Sequence, residues 1–421
     1  MRRLLAVSWE MPPMFGPRGR QVARTLGALA PLGWQPSVVC LDPRPGGPHW
    51  RDGVAGADMP LPDGVEAIRV ASPEEWTIVR AAWRLMPALR DRPDSKWVWI
   101  NRAASAATTA AAARRFDGLV TFAQPFSDHL VGLRVHRATK LPWVAHFSDP
   151  WVDSPYLQAS SSQRAAFARM EGDVIREATA VVFVTSETAD LVMKKYPDDW
   201  RRKVSVVPHG FDSAGAPPSA DRRPGPMRIV YTGRFYDGLR TPESLLRALA
   251  QLNGEQPLAD VLDVTFVGPH VTGFAGAAAA LGLDRFVRFH DRVSAAEARA
   301  MAADADVLLV IDAPTAGPSP FLPSKLVDYL PLRKPILGVT PADGASAHLL
   351  ARLGCPSAPP DDEAAMRHAI AGLVRQWRDG SLGVEAQFDR VAAEYDIRRT
   401  AAVFNDVLTQ AFGARVGDAR P

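Results

Sequence analysis

Cysteine is nearly missing from this chain: Cys40 and Cys355 are the only two in 421 residues, and they lie far apart. A disulfide framework and a cysteine-based zinc site are excluded by that count and spacing, and a reducing cytoplasm is the compartment it fits. Charge of one sign is not in excess either, with 49 Lys plus Arg against 46 Asp plus Glu. The chain is therefore not built to neutralise nucleic acid, and any basic function must be local. Long apolar runs are lacking as well. The opening Met1-Arg2-Arg3-Leu4-Leu5-Ala6-Val7 is basic and then apolar, but it stops at Ser8 and meets Glu10 and two prolines. That is too short for a secretory core or a membrane span. The sequence offers no Asp-x-Asp pair suited to a divalent cation, so neither a metal nor a cofactor is expected.

What is present belongs to an ordinary globular protein: 47% hydrophobic and 23% charged residues, with 31 glycines and 37 prolines. A chain of this length exceeds what one core organises, which points to two domains of roughly 200 residues each. The basic residues are mostly arginine, a side chain that grips phosphate oxygens bidentately and stays charged. High-GC codon usage explains that bias equally well.

Residues 4–8 read as a buried strand, 11–19 as a glycine-bearing loop, 22–32 as a helix and 37–41 as a second strand. The crossover makes these strands parallel. Apolar strands are expected to continue at 97–100, 118–122, 142–147 and 180–184. Around 213–226 the pattern dissolves into Pro, Gly and small residues, the signature of a linker. A second alternation follows, with strands at 228–232, 264–267, 287–290, 307–311 and 335–339 and helices at 243–252, 295–303 and 324–329. The expected organisation is thus an N-terminal Rossmann-like domain over 1–212, a linker over 213–226, a second Rossmann-like domain over 227–395, and a C-terminal helix and tail over 396–421 that packs back on the first domain. Residues 103–113 form an alanine-rich packed helix. Ligands of such open sheets bind outside the carboxyl ends of the strands.

Two segments at those ends carry chemistry. In the first, 322–330, Pro323 stands where a helix can start and Leu322, Leu326 and Leu330 share a face, while Ser324 and Asp328 share another. Free amides at the helix start, Lys325 beside them and a carboxylate one turn on would suit a nucleotide's diphosphate and ribose. Taken alone, Asp328 is equally a solvated residue of an amphipathic helix. The second segment has Gly233 permitting close backbone approach and Arg234 and Arg240 placed to clamp a diphosphate as leaving-group charge grows.

In order, Val206-Val207-Pro208-His209-Gly210, Tyr231-Thr232-Gly233-Arg234, Phe266-Val267-Gly268, Pro323-Ser324-Lys325-Leu326 and Lys334-Pro335-Ile336-Leu337 resemble family 4 glycosyltransferases of the GT-B fold. That resemblance implies an α/β protein with two Rossmann-like doubly wound domains facing across a cleft. It implies a hexosyltransferase-type enzyme that moves a sugar from a nucleotide-diphosphate donor to an acceptor hydroxyl, with retention and without metal, in glycan, polysaccharide or glycoconjugate biosynthesis. Arg234 and Arg240 match the family's phosphate-holding basic pair, and Asp328 its ribose-binding acid. The family's earlier acid falls on Pro320, and the partner of Arg234 is Arg240 where the family often has Lys one residue earlier. Gly16 and Gly19 would bring backbone to the donor phosphate, unless they serve only a turn. His146 and Asp149 would orient the attacking hydroxyl or accept its hydrogen bond, unless local backbone satisfies both. Glu171 and His209 are expected to be structural.

The acceptor is left open among a lipid-linked glycan, a polysaccharide and a small molecule. The protein is expected in the cytoplasm, with peripheral contact at the inner membrane face through Trp76, Arg80, Trp83 and Arg84; a core-packed helix with an exposed basic face is the plainer reading of those four. A nucleotide-sugar epimerase of related fold, and a binding module whose chemistry has lapsed with Pro320, are the rival functions.

Overall fold

The structure is a computed structural model that describes residues 1–14, 16–44, 60–85, 92–213, 224–236, 238–291 and 293–413. Most of the expected linker (214–223), Asp237 and the tail beyond 413 lie outside the described residues. The chain divides into two compact units, one of Met1–Gly210 with the C-terminal segment from Ile397, the other of Phe211–Asp396.

The first unit holds a seven-stranded parallel sheet: β1 (Arg2–Val7), β2 (Trp34–Leu41), β3 (Glu66–Val70), β4 (Gly118–Ala123), β5 (Trp143–Phe147), β6 (Ala180–Phe183) and β7 (Val204–Val206), in the order β3-β2-β1-β4-β5-β6-β7. In β1, Leu4, Leu5, Ala6 and Val7 are all fully buried, because both faces of a parallel sheet are covered. Strand alternation divides them: Leu5 and Val7 pack with Ile100, Ala103, Ala107 and Val131 on one face, Leu4 and Ala6 with Val22, Leu26, Phe404 and Leu408 on the other. The second group brings in the C-terminal helix Ile397–Gly413. Its Asn405 accepts from Trp34 Nε1 at 3.0 Å and from Arg2 Nη2 at 3.0 Å, and a Cβ on Gly118 would collide with the Phe412 ring.

One expected strand is a helix. Residues 97–99 form a 3-10 turn that runs straight into the helix Ile100–Ala113, since a four-residue apolar run carries no periodicity that separates strand from helix start. The edge strands β3 and β7 escaped notice because Glu66, Arg69 and the brevity of β7 break the apolar pattern.

The second unit repeats the design with β8 (Met227–Thr232), β9 (Leu262–Val267), β10 (Val287–His290), β11 (Val307–Ile311), β12 (Ile336–Val339) and β13 (Ser357–Ala358), all parallel, in the order β10-β9-β8-β11-β12-β13. Ile229 and Tyr231 face a core with Leu246, Leu249, Ile370 and Val374; Val230, Leu308 and Val310 face another with Leu326, Leu350 and Phe388. In both sheets the strand order reverses beside the first strand, between β1 and β4 and between β8 and β11. Doubly wound sheets bind ligands at the carboxyl ends beside such a reversal.

Candidate functional site

In the second unit the loops after β8 and β11 meet at that reversal. Gly233 is tied by its amide to the Val267 carbonyl at 2.7 Å. Gly268 follows with φ +142°, and a Cβ there would collide with the Gly233 carbonyl. Only glycine takes that conformation and that contact, which gives the two motif glycines a shared physical reason. Above Gly233 runs Lys325: a Cβ on Gly233 would meet its Nζ at 2.7 Å and the Tyr231 hydroxyl at 2.7 Å. Arg240 is held by a small turn in which Tyr236 and Arg240 exchange backbone hydrogen bonds of 2.9 and 2.8 Å. Its guanidinium reaches to 3.9 Å from Oδ1 of Asp312, the residue that follows β11.

The structure therefore brings Gly233, Arg240 and Lys325 together. Arg234 is exposed; its contribution to the core of this arrangement is a backbone carbonyl that accepts from the Tyr231 hydroxyl at 3.1 Å. Ser324 and Asp328 stand partly exposed on the helix Ser324–Tyr329, which is six residues long and continues as a 3-10 turn. So short a helix has a weak dipole, and the cations here come from side chains more than from a helix end. Leu326 is wholly buried in the core, so it supports the helix by packing. Tyr329 anchors the same helix to β8, its hydroxyl accepting from the Thr232 amide at 3.0 Å. Burial pushes that phenol up to about 12, so it stays protonated. The loop that contains Pro320 is strapped at Ser319, whose amide donates to Asp343 and whose carbonyl accepts from Ala345.

An Asp-x-Asp sequence does exist at Asp304-Ala305-Asp306, but both carboxylates engage Arg228, with Asp306 Oδ2 accepting from Arg228 Nε at 3.2 Å and Asp304 Oδ2 from Nη1 at 3.5 Å. The pair lies before β11, at the opposite edge of the sheet from Asp312.

In the first unit the corresponding reversal is lined by polar groups. Gly16 caps the helix Pro17–Leu29, and its open face is covered: a Cβ there would collide with the Glu10 carboxyl, and one on Gly19 would meet Glu10 Cγ at 3.0 Å. The space expected to admit a phosphate thus holds a carboxyl group. Burial raises its pKa, opposed by the Gly19 amide and by Arg18, Arg20 and Lys96. Arg18, itself buried, points Nη2 at His146 Nδ1 at 3.1 Å. His146, the penultimate residue of β5, lies among Phe122, Phe404 and His209. Burial first, then Arg18 and His209, hold its pKa well below the usual histidine range. Asp149 is partly buried; its Oδ2 accepts from Ser148 at 2.7 Å, and burial raises its pKa.

Glu171 is fully buried and holds three groups: the Val152 amide at 3.0 Å, the Tyr196 hydroxyl at 2.8 Å and Lys195 Nζ at 2.6 Å. It fixes the segment after Asp149, a structural task. Glu10, Arg18 and Asp312 were not singled out from sequence. Asp312 carried a signal, an acid following an unbroken apolar strand; Glu10 carried none, because nothing in the local pattern shows its side chain turning back over Gly16 and Gly19.

Residues 18–210 match the model of the glycosyl transferase 4-like domain. No curated protein matches the sequence. Among solved structures, sucrose-phosphate synthase from Thermosynechococcus elongatus superposes with a TM-score of 0.74 at 16% identity, over 98% of this chain and 100% of that one. A glycosyltransferase from Rickettsia africae does so with a TM-score of 0.67 at 12% identity, over 99% of each chain. Anabaena HepE, solved in complex with UDP-glucose, gives 0.64 at 14% identity, over 97% of this chain and 100% of that one. Over residues 18–210 the chain is thus similar to the glycosyl transferase 4-like domain, and its fold is the GT-B fold of these structures.

Proposed function

We propose that the protein transfers a sugar from a nucleotide-diphosphate donor to an acceptor hydroxyl, with retention of anomeric configuration and without a metal ion, in glycan, polysaccharide or glycoconjugate biosynthesis. The observation that carries this reading is the convergence of Arg240 and Lys325 on Asp312 at the strand-order reversal of the second sheet, with Lys325 lying over Gly233, which is itself packed on Gly268. Two cations beside bare backbone suit a departing diphosphate, and their charge does for the leaving group what a divalent ion would do. Asp328, on the same short helix as Lys325, accepts from a ribose diol in this reading. In the first unit, His146 and Asp149 serve the acceptor, His146 as a hydrogen-bond donor, with Glu10 on the far side of Arg18's charge as an acceptor for sugar hydroxyls.

Retention follows from a front-side course in which the leaving phosphate, steadied by Arg240, receives the acceptor proton while the sugar passes through an oxocarbenium-like state. The protein works in the cytoplasm and touches the membrane surface peripherally. The support for that contact is the helix Thr77–Leu85, where Ile78 and Leu85 are 74% and 83% exposed beside exposed Trp76, Arg80 and Arg84. Among the described residues no helix is long and apolar enough to cross a membrane.

The test is release of nucleoside diphosphate from UDP-, ADP- and GDP-sugars across an acceptor panel, with and without EDTA. Acceptor-dependent release that survives EDTA supports the reading. Release or epimerisation without acceptor points to the epimerase, and tight binding without product to a lapsed module. Mass spectrometry of nucleotide-sugars retained on the purified protein identifies the donor, and cosedimentation with anionic vesicles, lost in Ile78→Glu with Leu85→Glu, tests the membrane contact.

A further inference from the structure

Asp312 is 3% exposed. It lies at the end of the wholly apolar β11, with its amide bonded to the Val339 carbonyl at 2.8 Å. Neither of its carboxylate oxygens completes a hydrogen bond, and the neighbouring Arg240 has a buried Nε that completes none. The two side chains approach only to 3.9 Å. A structural arginine–carboxylate pair closes into a fork, as Arg333 and Asp389 do in this same unit with two bonds of 2.7 Å. Buried polar atoms in native proteins are seldom left unmatched, and where they are, a functional reason is worth seeking. The remaining groups around Asp312 are Lys325 from the helix Ser324–Tyr329, the Ser346 hydroxyl, which donates to the Phe321 carbonyl at 3.3 Å, and Tyr231 from β8.

We propose that Asp312 is a positioning residue for the diphosphate site: it keeps Arg240 as a loosely held counter-charge until a donor arrives, then releases the guanidinium and takes up one proton. This rests on the donor site proposed above and adds to it a proton that travels with the donor. The geometry favours exchange because Arg240 is close enough to feel the carboxylate and bonded too poorly to be kept by it. When the guanidinium turns to the phosphates, Asp312 loses its nearest cation and gains a dianion as neighbour. Both changes raise its proton affinity. The free carboxyl already stands at about 6, pushed up by burial against the pull of Arg240, Ser346 and Lys325. The proton comes from solvent and ends on the carboxylate, with no other bond made or broken.

By linkage, donor affinity is greatest below about pH 6 and falls by up to tenfold per unit above it, until the pKa of the bound state is passed. UDP-glucose, ADP-glucose and GDP-mannose are suitable probes, because their diphosphate diesters do not titrate between about pH 5.5 and 8. Calorimetry of the full chain in two buffers of different ionisation enthalpy should show uptake approaching one proton per donor near pH 7.5. Asp312→Asn should abolish the uptake, flatten the pH dependence and bind at least as tightly as the native protein near pH 8.

Binding without uptake in the native protein overturns the proposal, as does uptake that persists in Asp312→Asn. If that variant does not fold, the native two-buffer measurement still decides: absence of uptake overturns, and an apparent free-state pKa near 6 supports. Failure of every nucleotide-sugar to bind is a different result, since it removes the donor site itself.

Discussion

Arg18 directs its Nη2 at Nδ1 of His146 across 3.1 Å and at the same residue's carbonyl oxygen across 3.4 Å. A guanidinium can only donate, so Nδ1 accepts and the ring hydrogen resides on Nε2. A histidine in that state offers a hydrogen bond and has no lone pair left to act as a base. Of the two roles expected of His146 from sequence, orienting the acceptor hydroxyl or accepting its hydrogen bond, this state fits the first, with His146 as the donor.

His146→Gln, whose amide can still donate, should therefore keep more activity than His146→Phe. The loss for Phe is expected at about 10- to 100-fold in kcat/KM, the value of one buried hydrogen bond. The native pH–rate profile should show no inflection from His146 near pH 6.5. Equal losses in both variants, or an inflection that vanishes in them, would contradict this.

At the donor site Asp328→Ala should weaken nucleotide-sugar binding about tenfold with the fold unchanged, the size expected for one charge-assisted hydrogen bond. Arg240→Ala should lower kcat as well as affinity, by about 100-fold in kcat/KM if it stabilises developing leaving-group charge. Steady-state constants that stay put in both variants sink the assignment.

Gly268 and Gly233 should respond differently to alanine. At Gly268 the new methyl meets a carbonyl at φ +142°, so Gly268→Ala should cost more than about 2 kcal/mol of stability. At Gly233 the obstacle is the far end of the Lys325 side chain and the Tyr231 hydroxyl. Gly233→Ala should therefore cost less stability but displace the ammonium, read as weaker donor binding. Denaturant midpoints and donor titrations of the two variants separate these effects.

Glu171 has three partners and no solvent. Glu171→Gln removes one of the two carboxylates on Lys195, which is partly exposed and keeps Asp153, and should destabilise the first unit by about 1.5 kcal/mol, the size of a weakened hydrogen bond to a charged group. A shift of the denaturation midpoint below half that size would make the ion pair incidental.

His129, His146 and His209 all have pKa values held well below 6.5 by burial first and by Arg18 next, or by His209's further neighbour Arg24. The unfolded chain thus binds more protons at these groups than the folded one below about pH 6.5. Their contribution is fully present above that value and is lost as pH falls. Asp128, raised well above 3.8 by burial, works in the opposite sense, so the variant comparison is the clean measurement. His129→Gln should reduce proton uptake on acid unfolding by about one; an unchanged slope of stability against pH would remove His129 from the account.

The sequence by itself determined the double α/β alternation, because strands buried on both faces must be nearly all apolar and their connecting helices must be amphipathic. Residues 307–311 and 324–329 were legible to the residue for that reason. It also singled out Gly233, Arg234, Arg240, Ser324, Lys325 and Asp328 as candidates for a nucleotide's phosphates and ribose, since their types and spacing are local properties of two short segments. What it left undecided depends on which segments meet. That Glu10 folds back over Gly16 and Gly19 depends on the three-dimensional path of one loop; that Arg18 sets the protonation of His146 across 128 residues of chain, and that Asp312 faces Arg240, are results of strand order. The sheet places the loops after β1 and β4, and after β8 and β11, side by side, and no local pattern in a one-dimensional string records which carboxyl ends become neighbours. The edge strands and the helix start at 97–99 were lost for a related cause: half-exposed or very short elements owe their form to what they pack against, and packing is decided only in three dimensions.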